Sequence, residues 1–415
     1  MRPRSFAIPF AVAALGCDPP SAIGRLPPPA DVADAEAEAP RASLRCGTLS
    51  HDDTVRVDLV GGHDFALRGE RTVARGGPWL RGSTNRTGAL VVPDAECGVR
   101  VFEREEDSGA VAIHARGCVP GLRGTRSVQL FFNQNVSGLC ALRDDGALLV
   151  GEFDVARAVM ASRPTVRGAS ALCGRGDWWG AAIAGGDEGR QLQFLADVFQ
   201  PSAPPFDLPD EVGVRSPAAV VNNQSRWDAL WYVEGDVGLL HERYRPVGDF
   251  APGSPYPRRL EGVSRESSQR WSASEISARR VRVLDAFDTG GGLLALARLD
   301  GPERGWIDGL FFCAGASVRA RRLYDREASD AMLVGLGDAH ALVTLRQEGT
   351  DGVLEATWLA SDFRTRGPAR ELFRAPSLML HGVDVAPGVG TFLVWHSRAT
   401  ADRHELRVSA FELTR

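Results

Sequence analysis

Short apolar runs recur along the 415-residue chain, each introduced by a small or polar residue. They are GALVV from Gly88, GLCAL from Gly138, GAAIA from Gly180, DALWYV from Asp228, GLLALA from Gly292, HALVTL from His340 and GTFLVW from Gly390. Successive starts lie 42 to 64 residues apart, and four of the six intervals are 48 to 50. Each run is apolar on consecutive residues, which predicts a strand covered on both faces; a strand with one wet face would alternate.

Turn chemistry follows every run: PDAECG (93–98), RDDG (143–146), GGDEGR (185–190), EGDVG (234–238), DGPERG (300–305), EGTDG (348–352) and RATADR (398–403). Asp and Gly supply the left-handed or self-bonded conformations that tight hairpins need. Further strand-like segments come next, such as QLQFLADVF (191–199), LEATWLASDF (354–363) and ELRVSAFEL (405–413). The longest interval holds FAPGSPYPRRLEGVSRESSQRWSAS (250–274), whose Pro, Ser and Arg predict a loop.

Strand pairs repeated at this period and covered on both faces describe the blades of a β-propeller. The chain from 44 to 415 also exceeds the roughly 250 to 300 residues at which one core stops growing, and repeated blades avoid that limit by burying surface only against neighbours. The fold expected is therefore all-β, a propeller of seven blades over 44–415. Tandem β-sandwiches are the rival architecture, because they too show short strands and frequent turns. The segment TVRVDLV (54–60) precedes the first unit and the last unit stops after its Phe411 strand. An N-terminal strand completing the last blade, a device of propeller families, would close the ring.

A strand-like segment also precedes each apolar run, and several end in polar residues: QLFFNQN (129–135), LCGRGD (172–177), VVNNQS (220–225), AFDTGGG (286–292) and VGLGD (334–338). If these are the innermost strands, one mouth of the central channel gathers Asn133, Asn135, Arg175, Asp177, Asn222, Asn223, Asp288 and Asp338 as candidate ligand-binding residues. The bland reading is that hairpin turns require Asn, Asp and Gly at such places. Trp178, Trp179, Trp227 and Trp231 could stack a sugar ring, but their recurrence beside the apolar runs points to packing between blades. Arg175-Gly176-Asp177 is an adhesion tripeptide of the kind that chance supplies in a chain this rich in all three residues. His51, Asp52, Asp53, His63 and Asp64 suit a metal chemically, but a turn at Gly61-Gly62 would separate the two histidines, so no metal site is predicted.

The first residues, MRPRSFAIPFAVAALGC, have two arginines, an apolar stretch and Gly16 before Cys17. This is the layout of a secretory signal over 1–16, with an apolar stretch well short of the roughly 20 residues of a spanning helix. Ala14-Leu15-Gly16-Cys17 resembles the bacterial lipobox, which implies lipid attachment at Cys17 and a membrane anchor. Residues 17–43 are rich in Pro, Ala and acid, with little to bury, and predict an extended, disordered tether.

Setting Cys17 aside leaves Cys46, Cys97, Cys118, Cys140, Cys173 and Cys313, an even set that suits disulfides in an exported protein. Folding GVRVFERE (98–105) onto AVAIHAR (110–116) about the turn EDSG places Cys97 opposite Cys118, within about one residue of register. The other four are not assigned by spacing, Cys140 with Cys173 being the nearer choice. The 48 basic residues are all arginine, scattered among 53 acids with a net charge of -5, which argues against a nucleic-acid partner. No G-x-S-x-G, H-E-x-x-H, P-loop or C-x-x-C pattern occurs, so no cofactor or catalytic residue is assigned.

Anchor, tether and repeat scaffold together predict a lipid-anchored module of the bacterial envelope or cell surface that binds a protein or a glycan. A channel-mouth enzyme, such as a glycan lyase or hydrolase, and a structural envelope protein are the alternatives.

Overall fold

A computed structural model describes residues 64–414 except 77–78, 85–87, 108–109, 134–135, 162, 169, 175–179, 187–188, 197–199, 202–203, 224–225, 235–236, 251–256, 274–277, 290–291, 314–317, 337–338, 387–390 and 401–402. The described elements are strands forming seven small antiparallel sheets arranged as a ring, a seven-bladed β-propeller. Blade one runs Ser83–Thr84, Ala89–Asp94, Gly98–Asp107, Ala110–Cys118 from inside to outside, and blade two Thr125–Asn133, Val136–Arg143, Ala147–Asp154, Arg163–Arg167. Blade three has Ser170–Gly174, Gly180–Gly186 and Gly189–Ala196, with two short pieces on its outer edge. Blade four is Val214–Asn223, Arg226–Val233, Gly238–Phe250, Pro257–Ser272; blade five is Arg280–Asp288, Gly292–Asp300, Gly305–Cys313, Arg319–Tyr324. Blade six is Asp330–Leu336, Ala339–Glu348, Asp351–Leu359, Arg370–Pro376. Blade seven takes Met379–Ala386, Thr391–Ala399 and His404–Thr414 from the end of the chain and Asp64–Gly76 from its other end.

All seven apolar runs are second strands, and their double-sided burial explains why they do not alternate. In blade one, Ala89 and Val91 pack against blade two, whereas Leu90 and Val92 pack against blade seven. In blade five, Leu293, Ala295, Ala297 and Leu299 face blade four while Leu294 and Leu296 face blade six. Each of the seven neighbouring pairs of blades shares one such apolar cluster, including the seventh with the first. Tandem sandwiches would place two sheets around one core each, and seven clusters closing a circle rule them out.

Ring closure by an N-terminal strand is present, but through Asp64–Gly76, which pairs antiparallel with His404–Thr414. The segment 54–60 lies outside the described residues, as do Cys17, Cys46 and the tether. A second difference concerns 250–274: Pro257–Ser272 is a 16-residue strand paired along Gly238–Phe250. Three register shifts accommodate its irregularities, and polar residues suit an outermost strand with one face and one edge in water.

Cys97 and Cys118 are bridged within blade one, with Cα atoms 5.8 Å apart. Their alignment differs from the expectation, since Cys118 faces Arg100 in the ladder and Cys97 sits in the turn that curls back before Gly98. Cys140 and Cys173 are bridged as well, tying the second strand of blade two to the inner strand of blade three. Cys313 is also disulfide-bonded.

Candidate functional site

Each blade is an antiparallel meander, so its outer strand ends at the level where the next inner strand begins. All seven inner strands therefore run the same way, and their last residues share one rim of the channel. Asn133 ends the inner strand of blade two, Asn222 and Asn223 end that of blade four, and Asp288 ends that of blade five. Asn133 faces Val136, Asn223 faces Arg226 and Asp288 faces Leu293 in the adjoining hairpins, so these residues also begin tight turns. Asp288 is exposed on that rim. Asn135, Arg175, Asp177 and Asp338 lie outside the described residues.

Trp227 and Trp231 are fully buried between blades three and four and cannot stack a sugar. Trp178, Trp179 and the histidines at 51 and 63 lie outside the described residues. Among the described residues no group of three His, Cys, Asp or Glu could hold a metal ion.

The opposite end of the channel carries a charged set that sequence reading missed. Arg81, just ahead of blade one, is ion-paired with Asp330, the first residue of blade six, and donates a further hydrogen bond to the Ala331 carbonyl at 3.3 Å. Burial raises the Asp330 carboxyl above its ordinary range; Arg81 and Arg282 oppose that rise and Asp285 adds to it. Arg81 and Asp330 are 249 residues apart in sequence and meet only because the ring closes.

Next to this set, His381 lies within 2.7 Å of both the Leu80 carbonyl and the Ser397 hydroxyl. A carbonyl only accepts, so Nδ1 carries the proton and Nε2 accepts from Ser397. Burial depresses the His381 pKa to about 4, and that of its neighbour His396, which contacts Ser409, to about 3. These hydroxyl–imidazole pairs have the composition of a nucleophile and base, but His381, His396 and Ser397 are 0% exposed and Ser409 is 1% exposed, so they act in packing.

Blade four holds two more buried polar sets. Asp228 accepts from His241 at 2.7 Å and from Arg243 at 2.9 and 3.1 Å. Burial opposes the Asp228 charge, yet the His241 and Arg243 hydrogen bonds outweigh it and hold the carboxyl below its usual range. Glu242 receives Arg190 at 2.5 Å, the Tyr244 hydroxyl at 2.6 Å and Arg265 at 2.9 Å. Burial, and then the Glu242 charge, push the Tyr244 hydroxyl pKa upward, so it stays a donor. The residues of both sets other than Arg265 are buried, which makes each a strut between strands and not a place where substrate could touch.

Two surface clefts stand out. One of about 440 Å³ lies on blades one and two beside the Cys97–Cys118 bridge, and one of about 180 Å³ lies between blades four and five against Tyr232, Arg279 and Arg280.

No protein-family model and no curated protein sequence matches the chain. Solved structures of similar shape include a subtype N11 neuraminidase-like protein of a flat-faced bat isolate, at 9% identity and a TM-score of 0.43, covering 81% of this chain and 97% of that one. Hydrazine synthase of Kuenenia stuttgartiensis is similar at 10% identity and a TM-score of 0.45, covering 78% and 94%. A putative 6-phosphogluconolactonase of Bacteroides uniformis is similar at 11% identity and a TM-score of 0.42, covering 75% and 92%. These likenesses concern the fold.

Proposed function

We propose that the protein is a lipid-anchored binding module of the bacterial envelope, held by Cys17 and a tether, whose propeller recognises an envelope protein or a glycan at the channel rim. The observation that carries this reading is the convergence of Asn133, Asn222, Asn223 and Asp288 on one rim from three blades. A rigid scaffold that brings polar residues at the ends of several inner strands to one rim suits recognition without chemistry. The buried Asp228, Glu242 and His381 sets are consistent with it, because their side chains are engaged inside the blades. The anchor rests on the lipobox-like tetrapeptide that ends in Cys17 and on an even set of remaining cysteines.

Affinity capture from solubilised envelope, with the oxidised protein immobilised, tests the rim. Retention of one protein or glycan by the wild type and its loss in a folded variant with Asn133, Asn223 and Asp288 changed to alanine supports the reading; equal retention by both removes the rim from it. Cys17→Ala tests the anchor separately, since it should move the protein from the membrane to the soluble fraction.

A further inference from the structure

The larger cleft is formed around the Cys97–Cys118 bridge. Both cysteines line it together with Pro120, Gly121, Arg123 and Arg143. Cys118 is exposed, whereas Cys140 and Cys173 of the second bridge are 2% and 1% exposed inside the cluster between blades two and three. Thiol–disulfide exchange needs a thiolate to reach a sulfur along the S–S axis, so access separates these two bridges before any other property does.

The charged residues lining the cleft are both arginines. Arg143 is paired with Asp145 at 3.3 Å, while Arg123 is exposed and makes no ion pair with the described residues. A guanidinium beside a sulfur stabilises a departing thiolate and attracts an anionic attacker.

The segments that carry the two cysteines are also tethered without the bridge. The backbone N–H groups of Glu96 and Cys97 donate to Asp94 at 2.8 and 3.1 Å, and Arg100 donates to the same carboxylate at 2.8 Å. On the other side the Val119 N–H donates to the Val99 carbonyl at 2.9 Å, and Cys118 stays in the ladder opposite Arg100. Opening the bridge leaves both thiols close together in a folded blade.

We propose that Cys97–Cys118 is an exchangeable disulfide, a modification site for small anionic thiols. The incoming thiolate forms a bond to the Cys118 sulfur as the Cys97–Cys118 bond breaks, and Cys97 departs as a thiolate. A second thiolate attacks the mixed disulfide, releasing the small-molecule disulfide and leaving Cys118 reduced, so two thiols supply the two electrons. Re-oxidation runs the same steps backwards. The site is independent of the channel rim and of the anchor.

Full-length oxidised protein is incubated with glutathione, mercaptoethanol or cysteamine, quenched by alkylation and mapped by mass spectrometry, with circular dichroism followed in parallel. Cys97 and Cys118 should be labelled about tenfold or more ahead of Cys140 and Cys173, with the dichroism unchanged. Glutathione, the anionic probe, should lose several-fold in rate in Arg123→Gln and in high salt, while neutral mercaptoethanol keeps its rate. Both bridges opening together, or opening only as the dichroism collapses, overturns the exchangeable site. Equal slowing of all three thiols in Arg123→Gln overturns the preference for anions, and the salt series on the wild type decides the same point without a variant.

Discussion

His381 of blade seven donates a hydrogen bond of 2.7 Å to the carbonyl of Leu80, which precedes the inner strand of blade one. The two ends of the ring are thus joined by a neutral imidazole as well as by the strand Asp64–Gly76. Arg81, the next residue, adds its ion pair to Asp330. The seam where the propeller closes therefore carries a buried imidazole hydrogen bond and an ion pair beside its apolar cluster.

Acid should weaken that seam. His381 titrates near 4 in the folded protein against about 6.5 unfolded, so the unfolded chain binds more protons between these values and stability falls as pH falls through that window. Arg81 and His404 face His381 electrostatically; His396 is faced by His381 and Arg398, with Glu70 at 3.6 Å. His381 alone should account for roughly 3 kcal/mol of lost stability by pH 4. Denaturant melts across the window measure it, and a flat profile, or one that His381→Gln leaves unaltered, would contradict the assignment.

The Arg81–Asp330 pair should respond asymmetrically. Asp330 is the more enclosed partner, 15% exposed against 29% for Arg81. Arg81→Met leaves a desolvated carboxylate behind and should cost about 2 kcal/mol after discounting for partial exposure. Asp330→Asn leaves an arginine that can turn to water and should cost less. Thermal melts of the two variants give the order directly, and the reverse order would mean that the channel does not desolvate Asp330.

Two glutamates with several arginine partners should behave very differently. Glu242 is fully buried with Arg190, and Glu242→Gln strands that guanidinium, so a loss of about 3 kcal/mol or more is expected. Glu348, which pairs with Arg346 and Arg374 at the surface, should give no measurable change as Glu348→Gln. Urea titrations of both variants test the contrast; a similar small effect at both sites would show that Arg190 finds water when Glu242 is neutral.

Gly98 should be intolerant of a side chain. It has φ +91° as the first residue of its strand, and a Cβ there would lie 2.0 Å from the Leu122 carbonyl oxygen. Gly121, at φ +79° with open space around it, isolates the conformational part of the effect. Gly121→Ala should cost about 1 kcal/mol and Gly98→Ala clearly more, because contact is added to backbone strain. Equal melting temperatures for the two variants would refute the close approach.

Local signals made the second strands and their turns readable. Runs such as GLLALA beside DGPERG are buried on both faces by whatever blade stands next to them, so their pattern does not depend on which blade that is. The Cys97–Cys118 bridge was readable for the same reason, since one hairpin brings its sulfurs together. Pro257–Ser272 was misread because an outer strand tolerates a loop-like composition once a long partner, Gly238–Phe250, is there to pair with it. The closing strand was expected too early, since its register answers to His404–Thr414 at the far end of the chain.

By itself the sequence determined the number of repeats, the buried second strand of each and the hairpin that joins Cys97 to Cys118, because those depend on neighbours a few residues away. Which residues meet between blades was decided only by the tertiary structure. Arg81 with Asp330 and Leu80 with His381 meet because the ring closes, and Arg190 with Glu242 because blade three packs on blade four; no local periodicity records these pairs. Their energies come from desolvation, and a side chain is desolvated only after the blades have packed.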